Sequence, residues 1–185
     1  MGSPLLVVAV VLAVLGLWAW IAFNRLVRAR NLVRASWSDI DVQLQRRHDL
    51  IPRLVEAVKA YATYERATFE AVTELRARSR HVQRLTEKAA IEAEIEAATH
   101  QLIALAESYP DLKADQNFLE LQTELSDTED QLQYARRFYN GAVRDYNTGL
   151  QSFPDLLLVR LLNFREQDFF SADERAAAPV SVSLN

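Results

Sequence analysis

The most restrictive feature of this sequence is a gap in its glycines. The four are Gly2, Gly16, Gly141 and Gly149, so none lies between residues 17 and 140. A β-sheet protein needs a turn roughly every 8–12 residues, usually marked by Gly, Pro or Asn. This chain instead has long tracts of Ala, Leu, Glu, Arg and Gln, which favour helices, interrupted by only five prolines. The sequence therefore predicts an all-α fold made of a few long helices.

The N-terminal residues 4–23 form a twenty-residue stretch without a charge. At about 1.5 Å per residue a helix of this length spans roughly 30 Å, the thickness of the hydrocarbon core of a bilayer. Trp18 and Trp20 near its end suit the membrane–water interface. The alternatives are a buried core helix or a cleaved signal peptide, but the basic start and small-x-small cleavage site of a signal peptide are missing. We expect residues 1–24 to be a transmembrane anchor.

The orientation of the anchor follows from arginines that come after the span and not before it. The positive-inside bias predicts a single-pass protein with its N-terminus outside and its body in the cytoplasm, although an inverted arrangement remains the alternative to this statistical rule. The residues expected at the membrane interface are Trp18, Trp20, Arg25, Arg28, Arg30 and Arg34.

From Val33 onward the apolar residues recur at steps of four and three, which is close to the heptad spacing of coiled coils. This stripe predicts an elongated antiparallel bundle of three to four long helices over residues 25–170, followed by a flexible C-terminal tail at 171–185. The residues expected to be buried between helices are Trp37, Ile40, Leu44, Leu125, Leu132 and Val143.

Single residues predict some of the helix boundaries. Pro52 lies within the first apolar stripe, which continues beyond it, so we expect a kink near 48–52 and no helix end. Asp115 is a good N-cap for the helix that follows it. Two alternatives stay open. The chain first reverses either at 61–64 or at 79–81, and the strongly apolar residues 155–170 either cap the bundle or lie on the membrane.

Three stretches of the sequence are more particular than any periodic pattern. They are Trp37-Ser38-Asp39-Ile40-Asp41-Val42-Gln43-Leu44 with Arg46-Arg47-His48-Asp49-Leu50-Ile51-Pro52, then Tyr109-Pro110-Asp111-Leu112-Lys113-Ala114 with Asn117-Phe118-Leu119, and last Ala135-Arg136-Arg137-Phe138-Tyr139-Asn140 with Val143-Arg144-Asp145-Tyr146-Asn147 and Ser152-Phe153-Pro154. In this order, over about residues 25–170, the chain closely resembles the LemA family of bacterial membrane proteins.

The resemblance implies a transmembrane helix in the bacterial inner membrane, an antiparallel helical bundle and no established enzymatic activity. The sequence departs from the family near its C-terminus. A glycine commonly precedes the phenylalanine there, whereas this chain has Leu162-Asn163-Phe164. The resemblance therefore does not fix the conformation of this closing segment.

The sequence contains few residues in the patterns that catalytic or metal-binding sites require. Cysteine is absent, and the three histidines, His48, His81 and His100, lie too far apart to form a metal-binding spacing. The glycine count rules out a phosphate-binding loop. We expect His48 and Asp49 to form a surface pair. No catalytic, cofactor-binding or metal-binding residue is predicted, and the chain is not expected to be an enzyme.

Two Tyr-Asn pairs lie seven residues apart and therefore repeat on one helical face. They form either a structural polar clasp, with the charged residues of 39–49 as partners, or a groove for the helix of another protein. The clasp is favoured because buried polar networks fix the register of packed helices. The clasp or groove candidates are Asp41, Arg47, Arg137, Tyr139, Asn140, Tyr146 and Asn147.

Charge is segregated along the body. Residues 107–130 hold eight acids and one lysine, whereas residues 76–84 hold four arginines. Copies anchored in one orientation could join the basic segment of one to the acidic segment of the next, and a solvated acidic face is the plainer alternative. The candidate oligomer contacts are Arg76, Arg78, Arg80, Arg84, Glu120 and Glu124.

These features favour a membrane-anchored, self-associating scaffold that organises partners or shapes the membrane. The alternative is a membrane-tethered signalling adaptor or receptor whose bundle binds a partner protein. The expected partners are the lipid bilayer, other copies of the chain, and other membrane or cytoplasmic proteins. Nucleic acid is not expected, because the net charge is −4 and no basic face carries interleaved aromatic residues.

Overall fold

A computed structural model describes residues 3–62 and 66–171 of the chain. All regular structure in these residues is helical, which confirms the predicted all-α class. The helices are α1 (Ser3–Lys59), α2 (Arg66–His81), α3 (Leu85–Ala106), α4 (Pro110–Lys113), α5 (Gln116–Gln151) and α6 (Leu156–Leu162). The predicted tail, apart from Ser171, lies outside the described residues.

Helix α1 contains residues 3–24 of the expected anchor and the first long helix of the bundle in one continuous helix. It passes through Pro52, as the uninterrupted apolar stripe predicted. The chain breaks between helices near both candidate points of reversal, because α1 ends at Lys59 and α2 begins at Arg66 and ends at His81. Residues 63 and 64 of the first candidate lie outside the described residues. Asp115 is the N-cap of α5, where its side chain accepts a hydrogen bond of 3.0 Å from the backbone N–H of Phe118.

The bundle is antiparallel, with α5 packed along α1 and the α2–α3 hairpin packed on the half of α1 farther from its N-terminus. Ion pairs at two levels show the antiparallel direction, since Arg25 contacts Asp155 and Arg53 contacts Glu124. The elongated bundle of three to four long helices is therefore confirmed.

The core consists of two apolar clusters. The proximal cluster joins α1 mainly to α5 through residues such as Leu26, Leu44 and Leu132. The distal cluster joins α1, α2, α3, α4 and the N-terminal part of α5. Five of the six residues predicted to be buried are buried, namely Ile40, Leu44, Leu125, Leu132 and Val143. Trp37 is only partly buried, because it lies at the rim of the proximal cluster with its ring centroid 5.7 Å from that of Tyr139.

The N-terminal part of α1 projects from the bundle. All residues in 4–17 are exposed, Trp18 and Ala19 are partly buried, and Ala22 and Leu26 are buried. In the described part of the chain, α1 is the one helix that is long and apolar enough to cross a membrane.

After α6 the chain turns back along the bundle. Asn163 adopts the left-handed conformation with φ of 54°, which asparagine tolerates better than most residues. The resemblance implies a glycine at this position, and glycine adopts the left-handed conformation without strain. Residues 164–171, which we call the C-terminal strap, then pack on the bundle with Phe164 and Phe170 buried. The strap therefore caps the bundle. Of residues 155–170, α6 is the part that stays a candidate for contact with the membrane.

Candidate functional site: a buried charge cluster

Seven polar side chains meet in the middle of the bundle, where α1, α2, α3 and α5 come together. This charge cluster consists of Arg47, His48, Ser79, Glu92, Glu96, Glu129 and Arg136. Charged residues in a protein core need partners, because an unpaired buried charge costs several kcal/mol. The geometry shows how those partners are supplied.

Arg47 is the centre of the cluster and is only 2% exposed. Its Nη1 donates to the backbone carbonyl of Glu92 at 3.2 Å and to the carboxylate of Glu92 at 3.3 Å. Its Nη2 donates to both carboxylate oxygens of Glu129 and lies 3.7 Å from Glu96. The planar guanidinium thus ties α1 to both α3 and α5, a use to which its fork of donors is well suited.

Glu92 is fully buried and has three side-chain partners. Its carboxylate accepts a hydrogen bond from Ser79 Oγ of α2, lies 2.9 Å from His48 Nε2, and pairs with Arg47. Burial on its own raises the pKa of Glu92, but the hydrogen bonds from His48 and Ser79 and the charges of His48 and Arg47 outweigh it and leave the pKa below its ordinary value. Glu92 is therefore an anion in the folded protein.

Glu129 behaves in the opposite way. Burial raises its pKa, and the nearby carboxylate of Glu96 adds to this, so that the pKa stays above its ordinary value despite the contact with Arg47. Arg136, whose Nη1 lies 3.5 Å from Glu96, has its pKa lowered by burial and by the like charge of Arg47. Three carboxylates thus face two guanidinium groups and His48 in one cluster.

The cluster has neither a Ser-His nucleophile pair nor a metal-binding group among the described residues. Ser79 and His48 both contact the same Glu92 oxygen, so the serine is not paired with the histidine as a nucleophile would be with its base. Ser79 is also fully buried. Among the described residues, no group of three or more His, Asp or Glu is placed to hold a metal ion. The geometry is that of a structural network.

A pocket of about 360 Å³ opens beside Arg47 and Glu129, between α3 and α5. Its walls are mixed, with carboxylates at the cluster and apolar side chains farther from it. It is lined by Arg47, Glu96, Thr99, His100, Ile103, Gln122, Leu125, Ser126, Glu129 and Asp130.

The sequence prediction placed His48 on the surface, and this is wrong: His48 is 4% exposed and faces Glu92. Glu92 was not singled out at all. A signal was present, because Arg47 falls in the buried series Ile40, Leu44, Ile51 and Leu54 at steps of four and three, where an apolar residue is expected. Charge at such a position indicates a partner across the core.

The polar clasp residues of α5 meet the strap, and not α1 as expected. Asn140 exchanges two hydrogen bonds with the backbone of Phe170, at 2.9 and 3.2 Å, and Asn147 exchanges two with Gln167, at 2.9 and 3.0 Å. The Tyr139 hydroxyl donates to the backbone carbonyl of Asp168 at 2.9 Å. Burial and the Asp168 carboxylate raise the pKa of Tyr139 to about 12, so this hydroxyl keeps its proton.

The other clasp candidates are dispersed. Tyr146 is buried in the proximal cluster, and burial raises its pKa. Asp41 is exposed and lies 3.8 Å from Lys88, while the guanidinium of Arg137 stacks 4.7 Å from the ring of Tyr134. Of the candidate set, Arg47 alone belongs to the charge cluster.

The oligomer candidates divide into two groups. Arg76 donates to the backbone carbonyl of His48 at 2.6 Å, Arg80 lies 3.9 Å from Asp49, and Glu124 pairs with Arg53 at 3.0 Å. These three residues thus make contacts within the molecule. Arg78, Arg84 and Glu120 are exposed.

The membrane-interface candidates lie where α1 enters the bundle. Arg25 pairs with Asp155, and Arg30 lies 5.3 Å from the ring centroid of Phe164. Arg28, Arg34 and Trp20 are exposed, whereas Trp18 is partly buried.

One apolar N-terminal helix that projects from an antiparallel bundle with a charged core defines a class of helical-bundle proteins with one candidate membrane span. The chain belongs to the LemA family, whose sequence model matches residues 36–184. It is 25% identical to Protein LemA of Metamycoplasma hominis, over 86% of this chain and 74% of that protein. It is also similar to Magnetosome protein MamQ of Magnetospirillum gryphiswaldense, at 21% identity over 85% of this chain and 68% of that protein. Magnetosome protein MamQ 2 of Paramagnetospirillum magneticum is 22% identical over 92% of this chain and 74% of its own length.

Proposed function

We propose that this chain is a membrane-anchored scaffold of the bacterial cell membrane that self-associates side by side through its charged faces. The observation that carries the proposal is that the basic end of α2 and the acidic part of α5 lie at the same level along α1. The N-terminus is outside, and the bundle is in the cytoplasm.

The anchor is supported by the exposure of residues 4–17, which project from the bundle with Leu, Val and Ala side chains facing outward. Exposing such a surface to water costs free energy, at about 25 cal/mol per Å² of apolar area. In a bilayer it is the surface that lipid chains require. The arginines that follow it favour the cytoplasmic side for the bundle.

The common level follows from contacts with one short stretch of α1. Arg76 and Arg80 of α2 contact His48 and Asp49, and Glu124 of α5 contacts Arg53. These positions of α1 are separated by five residues or fewer, so they lie within about 8 Å along the helix axis.

Copies anchored in one membrane share an orientation and a height above the bilayer. The exposed Arg78 of one copy can therefore face exposed acids of α5, such as Asp127, in a neighbour without any tilt. Because the two faces differ, the contact is head-to-tail and either closes into a ring or continues as an array.

The charge cluster supports a scaffold more than a catalyst. Its charged groups bind one another across four helices and make the register of the bundle specific, which a polar residue at a core position can do. A bundle of defined shape presents its surface charges in a fixed pattern to neighbouring copies.

Sedimentation of the full-length chain in a mild detergent tests the proposal. At low salt we expect discrete oligomers that dissociate as salt is raised, because surface ion pairs are screened. Arg78→Glu combined with Arg84→Glu should give monomers. Arg144→Glu, an exposed arginine outside the basic segment, is the matched control and should leave the oligomer intact. A wild-type monomer at low salt would contradict the proposal.

The second candidate function is the signalling adaptor, and one surface favours it. Val42, Tyr134 and Phe138 are exposed around a groove of about 360 Å³ between α1 and α5. Exposed aromatic groups of this kind are common at protein–protein contacts. An adaptor would sediment as a monomer and enlarge only when its partner is added, and Tyr134→Ala with Phe138→Ala would abolish that enlargement.

A further inference from the structure

We propose that α6 and the turn before it form a second membrane contact beside the anchor. The exposed side chains of Phe153, Leu157 and Leu161 lie in the boundary between the lipid headgroups and the lipid chains. The proposal rests on the proposed membrane anchoring by α1. It adds a peripheral contact that the N-terminal span does not require.

The apolar face of α6 lacks a protein partner in the described structure. Leu157 is 59% exposed and Leu161 78%, and their spacing of four residues places them on one side of α6. Phe153, in the turn that precedes α6, is 83% exposed. The other side of α6 faces the bundle, where Val159 packs against the proximal cluster. An amphipathic helix of this kind lies in a membrane interface when a bilayer is within reach.

Contacts with α1 place α6 beside the end of the apolar span. Asp155, which begins the turn into α6, is buried and pairs with Arg25. Phe164, just beyond α6, lies edge-on to Phe23 with a centroid distance of 6.1 Å. Both partners lie at the junction between the uncharged stretch and the first arginine, where the membrane surface is expected.

The length of the free part of α1 supports this proximity. Residues 4–17, fourteen residues that stand clear of the bundle, span about 21 Å. The hydrocarbon core is about 30 Å thick, and the uncharged residues 18–23 add a further length of roughly 9 Å. These residues lie at the end of the bundle that carries α6, so this end enters the membrane boundary together with them.

The charges near α6 suit a lipid surface. Arg160 and Arg165 are exposed. Arg28 of α1 is also exposed, and it lies three residues after Arg25, the partner of Asp155. Basic side chains at this depth attract anionic headgroups. The carboxylate of Asp155 is neutralised by Arg25, so it does not repel the surface. The apolar face fits a bilayer that contains anionic lipid, because the exposed arginines near α6 outnumber the exposed acids Glu166 and Asp168 of the strap.

The chain has no cysteine, so a single cysteine labelled with an NBD fluorophore can be placed at will in the full-length protein. We would reconstitute Leu157→Cys and Leu161→Cys into vesicles of phosphatidylcholine and phosphatidylglycerol. Leu119→Cys is the matched water control, since Leu119 is also an exposed leucine but lies about 45 Å away along α5, near its N-terminus. Val14→Cys reports on the anchor itself.

The expected result is blue-shifted NBD emission at positions 157 and 161, quenched by nitroxide lipids, with unshifted and unquenched emission at 119. Water-like emission at 157 and 161 together with lipid quenching at 14 would overturn the second contact and leave the anchor standing. Water-like emission at 14 would instead overturn the anchoring of the proposed function. Blue-shifted emission at 157 and 161 without lipid quenching would mean that a second copy covers α6, and this would also overturn the proposal.

Discussion

Arg47 on α1 donates to Glu92 on α3 twice, once to the carboxylate at 3.3 Å and once to the backbone carbonyl at 3.2 Å. Neither side chain is more than 2% exposed. The pair is thus a charge-assisted contact in the core, and its two bonds fix both the position and the rotation of α3 relative to α1.

Arg47→Ala should destabilise the protein strongly, because it removes the guanidinium from the buried Glu92 carboxylate and removes the bonds to Glu129. Breaking a buried pair in this way costs about 3–5 kcal/mol. The matched control is Arg46→Ala, an exposed neighbour on the same helix, which should change the free energy of unfolding by no more than about 0.5 kcal/mol. Urea unfolding followed by circular dichroism in one detergent measures both variants. Equal values for the two would mean that the cluster contributes nothing.

Glu92 and Glu129 should make the free energy of unfolding change with pH in opposite directions. The folded pKa of Glu92 is depressed, so its contribution is present above the unfolded value of 4.5 and is lost as the pH falls through the folded pKa. The folded pKa of Glu129 is raised, so its contribution is present below 4.5 and is lost as the pH rises through the folded pKa.

Glu96→Gln separates these two effects. It removes the like charge that helps to raise the pKa of Glu129, so less stability should be lost as the pH rises above 4.5. The loss on acidification that belongs to Glu92 should remain. Thermal unfolding midpoints of the wild type and the variant across the acid range test this. Parallel profiles above 4.5 would show that Glu96 does not act on Glu129.

Asn140→Ala together with Asn147→Ala should release the C-terminal strap. Each asparagine satisfies one N–H and one carbonyl of the strap, and losing such bonds costs about 1–3 kcal/mol for each group left unpaired. Hydrogen exchange at the amides of Gln167 and Phe170 should become much faster. Asn31→Ala, an exposed asparagine on α1, is the control. Unchanged protection at both amides in the double variant would show that the aromatic contacts alone hold the strap.

The proposed topology places the C-terminus in the cytoplasm. An alkaline phosphatase fused after Asn185 should be inactive, since this reporter works only outside the membrane, while a green fluorescent protein fused there should fluoresce. Replacing Arg25, Arg28, Arg30 and Arg34 with glutamine should produce a mixed population, because the orientation depends on these charges. A phosphatase that is active in the wild-type fusion would reverse the topology.

The sequence predicted those parts of the fold that depend on local pattern. The apolar stripe identified the buried positions of α1 and α5, and Asp115 marked the start of α5 because capping depends on residues within one turn. The strap could not be predicted, because its backbone is paired by Asn140 and Asn147 from another part of the chain and has no periodicity of its own. The charge cluster was missed for a similar reason. The partners of Arg47 and Glu92 come from four helices, so their pairing depends on the packing itself.

Cross-linking in the membrane tests self-association most directly. The full-length chain would carry Arg78→Cys on the basic face and Asp127→Cys on the acidic face, and a short bis-maleimide would be added to membrane vesicles. The proposed contact joins position 78 of one copy to position 127 of the next, so we predict a ladder of dimers and higher multiples. Arg144→Cys with Asp127→Cys should give little or none. If both cysteines of the 78/127 chain react with a monofunctional maleimide and the chain still migrates as a monomer after cross-linking, the scaffold account is contradicted.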